Sequence, residues 1–162
     1  MKKNQKILSL TALIFHSMVL GCAQPKYQNV IIDPNQGSGS LQNGQFECVF
    51  KFVQNNICLS WDFENQNVVA QKNNSIILKL YRLNQFDQSM VYVNPDLGTQ
   101  VKLTLWMPSM GHGSVPTQVT QLDVGTFRVT QVNFIMSGSW EIYFDLINNQ
   151  VIDRLTTSIQ IQ

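Results

Sequence analysis

The chain is short of charge and of histidine. Asp, Glu, Lys and Arg together make up 13% of its 162 residues, about half the usual share. Their deficit is filled by Asn, Gln, Ser and Thr. The formal net charge is +1, and no basic run marks a nucleic-acid surface. There are two histidines, His16 and His112. No phosphate loop, GxGxxG or GxSxG is present, so nucleotide binding and nucleophile-elbow hydrolysis have no sequence support. After residue 22 no stretch has the apolar spacing of an amphipathic helix.

The N-terminus is different in kind. "MKKNQK" is a basic segment and "ILSLTALIFHSMVL" an apolar one, too short to span a bilayer comfortably. It runs into "VLGCAQP", with Val19 and Gly21 at −3 and −1 before Cys22. This order resembles a bacterial lipoprotein signal peptide: residues 1–21 are removed, and Cys22 carries the lipid and becomes the new N-terminus. Ala23 after the cysteine is the residue type that enteric sorting sends to the outer membrane. Cleavage takes Lys2, Lys3 and Lys6 and no acid, so 11 basic residues become 8 against 10 acidic ones, a formal −2. It also takes His16, leaving His112 as the sole imidazole. Residues 22–45, polar and rich in Gly, Ser, Asn and Gln, read as a flexible tether between lipid and domain. The expected location is therefore the cell envelope, periplasm-facing or on the outer membrane, with the lipid as the contact to the membrane.

Besides Cys22, two cysteines remain, Cys48 and Cys58. In an oxidising compartment an even pair reads as a disulfide. "CVFKFVQNNIC" reads as two short strands around an Asn-Asn turn, which can bring the two Cα atoms within bonding range.

From Phe46 to the end the pattern is that of strands. In "VKLTLWM", "SWEIYFDLI" and "LTTSIQI" apolar residues alternate with polar ones at period two, the mark of a strand with one buried face. Turn signals such as "KNNS", "NPDLG", "LDVG", "MSGS" and "INNQ" recur every 8–15 residues. Seven or more short strands in residues 46–162 predict an all-β, immunoglobulin-like β-sandwich of antiparallel strands. A small barrel is the alternative.

"WMPSMGHGS" places Met107, Met110 and His112 within six residues, broken by Pro108, Gly111 and Gly113. One imidazole cannot make a two-histidine zinc site. Ser114, two residues from His112, is poorly placed to act as its nucleophile. Thioether sulfur is a soft ligand and imidazole a borderline one, a set that suits Cu(I). Strand alternation turns Met107 inward beside Leu103 and Leu105 and leaves Met110 and His112 on the exit loop. Met136, at the end of "VNFIM", can approach the same end. Methionine also fills core gaps, so packing and ligation both stay open for these residues.

"WMPSMGHGS" followed by "GTFRVTQVNFIMSGSWEIYFDL" resembles the YtkA-like or FixH-like family of small exported or membrane-anchored β-sandwich domains. The family pattern is a Met-Pro-x-Met-x-His-Gly loop, a Gly-Tyr-type strand and Met-x-Gly-x-Trp. It is matched by Met107, Pro108, Met110, His112 and Gly113, by Gly125 and Phe127, and by Met136, Gly138 and Trp140. The likeness covers about residues 75–147. Phe127 stands where the family usually has Tyr, and the membrane helix of FixH-type members is not seen. The resemblance implies copper handling, with Met107, Met110, His112 and Met136 as ligands. The expectation is a non-enzymatic, lipid-anchored envelope protein that binds Cu(I) for carriage or tolerance. The alternative is a metal-free Ig-like module that binds or scaffolds an envelope protein partner.

Overall fold

Period-two burial organises the domain. In the computed structural model, which describes residues 41–42, 45–65 and 67–162, every regular element is a strand. Signal segment, Cys22 and most of the expected tether lie outside the described residues. Two short strands, β1 (Leu41–Gln42) and β2 (Gln45–Phe46), pair with each other, so ladder structure begins a few residues before the expected domain boundary.

The remaining strands form two antiparallel sheets. The first contains β3 (Phe50–Phe52), β4 (Ile57–Phe63), β5 (Asn73–Leu83), β6 (Met90–Tyr92), β9 (Gln118–Asp123) and β10 (Thr126–Asn133), in the order β3-β4-β5-β10-β9 with β6 on the end of β5. The second contains β7 (Gln100–Met107), β8 (His112–Gly113), β11 (Gly138–Asn148) and β12 (Val151–Ile161), in the order β12-β11-β7-β8. Lettered from β4, skipping β6, these orders are A-B-E-D and G-F-C-C′, the arrangement of an immunoglobulin-type sandwich. The expected fold is thus present, with β3 added outside β4. Two separate sheets rule out the barrel alternative.

Alternation builds the core between them. Leu103, Leu105 and Met107 from β7 and Trp140, Ile142, Phe144 and Leu146 from β11 are buried, as their sequence pattern requires. Facing them are Trp61, Ile76, Leu78, Leu80, Val129 and Val132. Aromatic edges knit the two layers: Trp61 lies 5.5 Å from Phe144, and Phe134 meets Trp140 edge-on at 5.5 Å. Such pairs contribute about 0.5–1.5 kcal/mol beyond area burial.

On β11 one outward residue breaks the alternation. Asp145 is buried on the outer face of β11, where Arg154 of β12, directly opposite in register, grips it through Nε at 2.7 Å and Nη2 at 2.8 Å. Arg154 also lies over the Tyr143 ring at 4.6 Å. A bidentate guanidinium is what makes a buried carboxylate tolerable.

Hairpin topology sorts the turns to two ends. The β3–β4, β5–β6, β9–β10 and β11–β12 turns, and the loop entering β7, lie at one end. The β4–β5, β7–β8 and β10–β11 connections lie at the other, where Gln71 N–H donates to Phe134 O and Ala70 N–H to Gln162 O.

Candidate functional site

The Met/His loop closes that second end. Pro108 follows the last residue of β7, and its fixed φ suits the first corner of a turn. Gly111 then takes φ +67°, a left-handed conformation that costs glycine little. Met110 N–H and Gly111 N–H both donate to Met107 O, at 3.2 and 3.0 Å. The chain reverses into β8, whose register pairs Met107 with His112 and Trp106 with Gly113. Directly opposed residues project on the same face of a sheet. His112 therefore shares the sandwich-facing side of Met107, although it was expected on the loop beside Met110.

Burial separates the four expected ligands. Met107 is 2% exposed and belongs to the core; Met110 is 57% exposed; His112 is half-buried; Met136 is half-buried and packs against the core. The Met107 methyl lies where a Cβ on Gly138 would be, 2.6 Å from that position. Gly138 has φ +138° and belongs to the β10–β11 side of the same end. Trp140 Nε1–H donates to Met136 O at 3.0 Å. Met107, Met136, Gly138 and Trp140 are thus drawn together by packing and one backbone-directed bond. His112 joins them by strand register, and Met110 stands outward at the turn.

His112 Nδ1 lies 3.2 Å from Gly113 O. With Nδ1–H donating to that carbonyl, the ring lone pair is on Nε2. A backbone carbonyl on one imidazole nitrogen is the usual way a ligating histidine has its tautomer and orientation fixed. The backbone of Gly113 approaches β7 closely: a Cβ there would lie 3.0 Å from Leu105 O.

Ser114 has a different role from the nucleophile considered in sequence. Its N–H donates to Leu105 O at 3.2 Å and its hydroxyl to Asn133 O on the opposite sheet. Thr117 Oγ1 likewise donates to Leu103 O at 2.7 Å. These two hydroxyls pin the segment that leaves β8, and a lone Ser or Thr in a polar chain gave no signal of it.

The first end has the disulfide nearby. Cys48 and Cys58 are bonded, with Cα atoms 5.5 Å apart, as expected from their hairpin. Tyr81 Oη donates to Glu47 O at 3.1 Å, so the segment entering β3 is fastened twice to the β4–β5 face.

Among the described residues no three of His, Cys, Asp and Glu come together as a metal-binding group, so thioether donors would have to complete any site built on His112. Also among them, no helix is long and apolar enough to cross a membrane. No protein-family model, no curated protein and no solved structure matches the chain.

Proposed function

We infer that the protein is a non-enzymatic, lipid-anchored envelope protein of the YtkA/FixH-like kind, and that it holds Cu(I) at the end closed by the Met/His loop. The observation that carries this reading is the pairing of Met107 with His112 across β7 and β8, on one face, with Met110 at the exposed turn between them. Met110 is the exposed donor, and His112, half-buried, would offer Nε2. Met107 and Met136 back them from the core side. Thioether and imidazole ligands favour the monovalent, soft state of copper. A bound ion would be carried rather than used in catalysis.

The test is competition between the full chain and a chromophoric Cu(I) chelator. The wild type is expected to withdraw copper, and His112→Ala and Met110→Leu each to weaken it by at least tenfold. Equal, weak competition by wild type and His112→Ala would end the copper reading.

A second reading has its own support. Met107 fills the space over Gly138, and the Met136 carbonyl accepts the Trp140 indole N–H, so several motif residues already have packing roles. On this reading the module binds an envelope partner without metal. It expects Met110→Leu/His112→Ala to leave partner binding intact.

A further inference from the structure

The end opposite the Met/His loop has an unusual surface. Five turns meet solvent there: residues 53–56, 84–89, 94–99, 123–125 and 148–150. Phe86 is 97% exposed and Leu97 is 102% exposed. Val53, Val124 and Val151, at or next to three other tips, are exposed as well. So each tip presents a large apolar side chain to water, where small polar residues are the norm.

The charge at the same turns is mostly of one sign. They contain Asp87, Asp96 and Asp123, and neither Lys nor Arg; Arg82 of β5 adds one cation beside them, donating to Asn55 O and Asn56 O. Each of these acids is the chain neighbour of an exposed apolar residue, in Phe86-Asp87, Asp96-Leu97 and Asp123-Val124.

The tips are also tight turns with internal hydrogen bonds. A left-handed residue sits in each turn: Asn56 at φ 51°, Gln88 at 57°, Gly98 at 84°, Gly125 at 64° and Asn149 at 46°. Asp87 Oδ1 accepts Ser89 N–H at 3.0 Å, and Asn94 Oδ1 accepts Gly125 N–H at 2.8 Å, tying the loop before β7 to the β9–β10 tip. Such turns lose little freedom when they are covered. Beside them opens a cleft of ≈ 550 Å³ between β7 and β9, with Val101, Val119 and Phe127 in its wall together with Asp96 and Lys102. Among the described residues nothing pairs with the outer edge of β9.

We propose that this five-turn end is a docking face for a partner protein whose contact surface is apolar and ringed by Lys or Arg. Phe86 and Leu97 are its anchors, and Asp87, Asp96 and Asp123 choose the charge of what they meet. Charge decides against a membrane as occupant. Interfacial segments that seat on anionic lipid carry Lys and Arg around their apolar residues, and here three acids stand beside the apolar tips against one cation, Arg82, whose guanidinium is held by the Asn55 and Asn56 carbonyls. Charge also decides against a second copy, because two such faces would oppose like charges. The proposal concerns the end remote from Met110 and His112, so it stands or falls independently of copper.

The probe is a phage-displayed library of random linear peptides selected against the full chain. Enriched peptides are expected to combine aromatic or long aliphatic residues with Lys or Arg. They should bind Phe86→Ser/Leu97→Ser at least tenfold more weakly, and weaken as salt rises. Asp87→Asn/Asp96→Asn/Asp123→Asn keeps the oxygen acceptors of the turns and should also lose about tenfold. Phe86 and Leu97 support nothing in the core, so thermal melting should be unchanged in their variant. Absence of enrichment, or equal binding to wild type and Phe86→Ser/Leu97→Ser, would overturn the proposal. So would wild-type binding to phosphatidylcholine–phosphatidylglycerol vesicles that this variant loses, which would assign the face to lipid. Self-association that this variant loses would assign it to a second copy and overturn the proposal as well.

Discussion

At the scale of single residues, two glycines show how close this fold runs to its steric limits. Gly125 has φ +64°, and a Cβ there would lie 2.8 Å from Val93 N, 2.9 Å from Val93 O and closer still to Leu80 O. Leaving glycine at such a φ costs about 1–2 kcal/mol before any overlap. The atoms in the way are backbone and cannot turn aside. Gly125→Ala is therefore expected to destabilise the domain by at least ~2 kcal/mol, read as a lower midpoint in urea unfolding with little change in slope. An unchanged midpoint would contradict the packing described. Gly138 is the informative contrast, because what a Cβ there would meet is the flexible end of Met107. Both glycines were visible in sequence as turn signals. Their neighbours were not, since a close approach between distant segments leaves no mark in either one.

Tyr143 carries the residue-scale dependence on pH. Burial, then the hydrogen bond and charge of Glu141, push its phenol up to about 12 from an ordinary 10.0. The folded chain thus holds this proton through a window in which the unfolded chain has lost it. The stabilisation is whole below about pH 10 and fades as pH climbs towards 12. Tyrosinate absorbance should show one phenol ionising late. Tyr143→Phe should flatten part of the alkaline loss of stability; an identical alkaline profile in the variant would refute the assignment.

At the scale of elements, the strands show what patterning can and cannot tell. β7, β11 and β12 were legible because one face of each is buried and the other polar, so period two survives in the residues. β4 was less so: its first five residues, Ile57–Trp61, are all buried. The disulfide lies on the outer side of this strand at Cys58, and Ser60 is buried on that side too. Asp145 would be taken as a solvated position, and only the register opposite Arg154 explains its burial. His112 was misplaced for a related reason. A two-residue strand such as β8 is too short to show a period, and only pairing with Trp106 and Met107 fixes where its side chains point.

The β3–β4 hairpin depends on its cross-link. β3 is a three-residue edge strand, and the disulfide closes a loop with a sequence separation of 10. A loop of that size stabilises by about 2–3 kcal/mol through the unfolded chain. Cys48→Ser/Cys58→Ser is expected to lose that amount in denaturant unfolding. Hydrogen exchange should quicken in residues 50–58 first. Uniform quickening across both sheets at equal stability would show that the cross-link does not serve this hairpin.

At the scale of the whole molecule, the two ends of the sandwich differ in chemistry. One carries Met107, buried in the core, Met110, exposed at the turn, and the half-buried His112 and Met136, with the segment after β8 tied to both sheets through Ser114. The other presents exposed apolar tips flanked by aspartates. Much of the first end was legible in sequence, because unusual residue types sit close together in "WMPSMGHGS". What it could not convey was their division between core and surface, with Met107 buried and Met110 exposed. The second end was invisible there, because its residues come from five separate turns and become neighbours only when the hairpins align.

Copper binding at the Met/His end is the central claim, and X-ray absorption at the copper edge of the Cu(I)-loaded full chain tests it most directly. The account predicts scattering from both sulfur and imidazole nitrogen, with the imidazole signal lost in His112→Ala and the sulfur signal reduced in Met110→Leu. A shell of oxygen and nitrogen alone, unchanged in both variants, would contradict it.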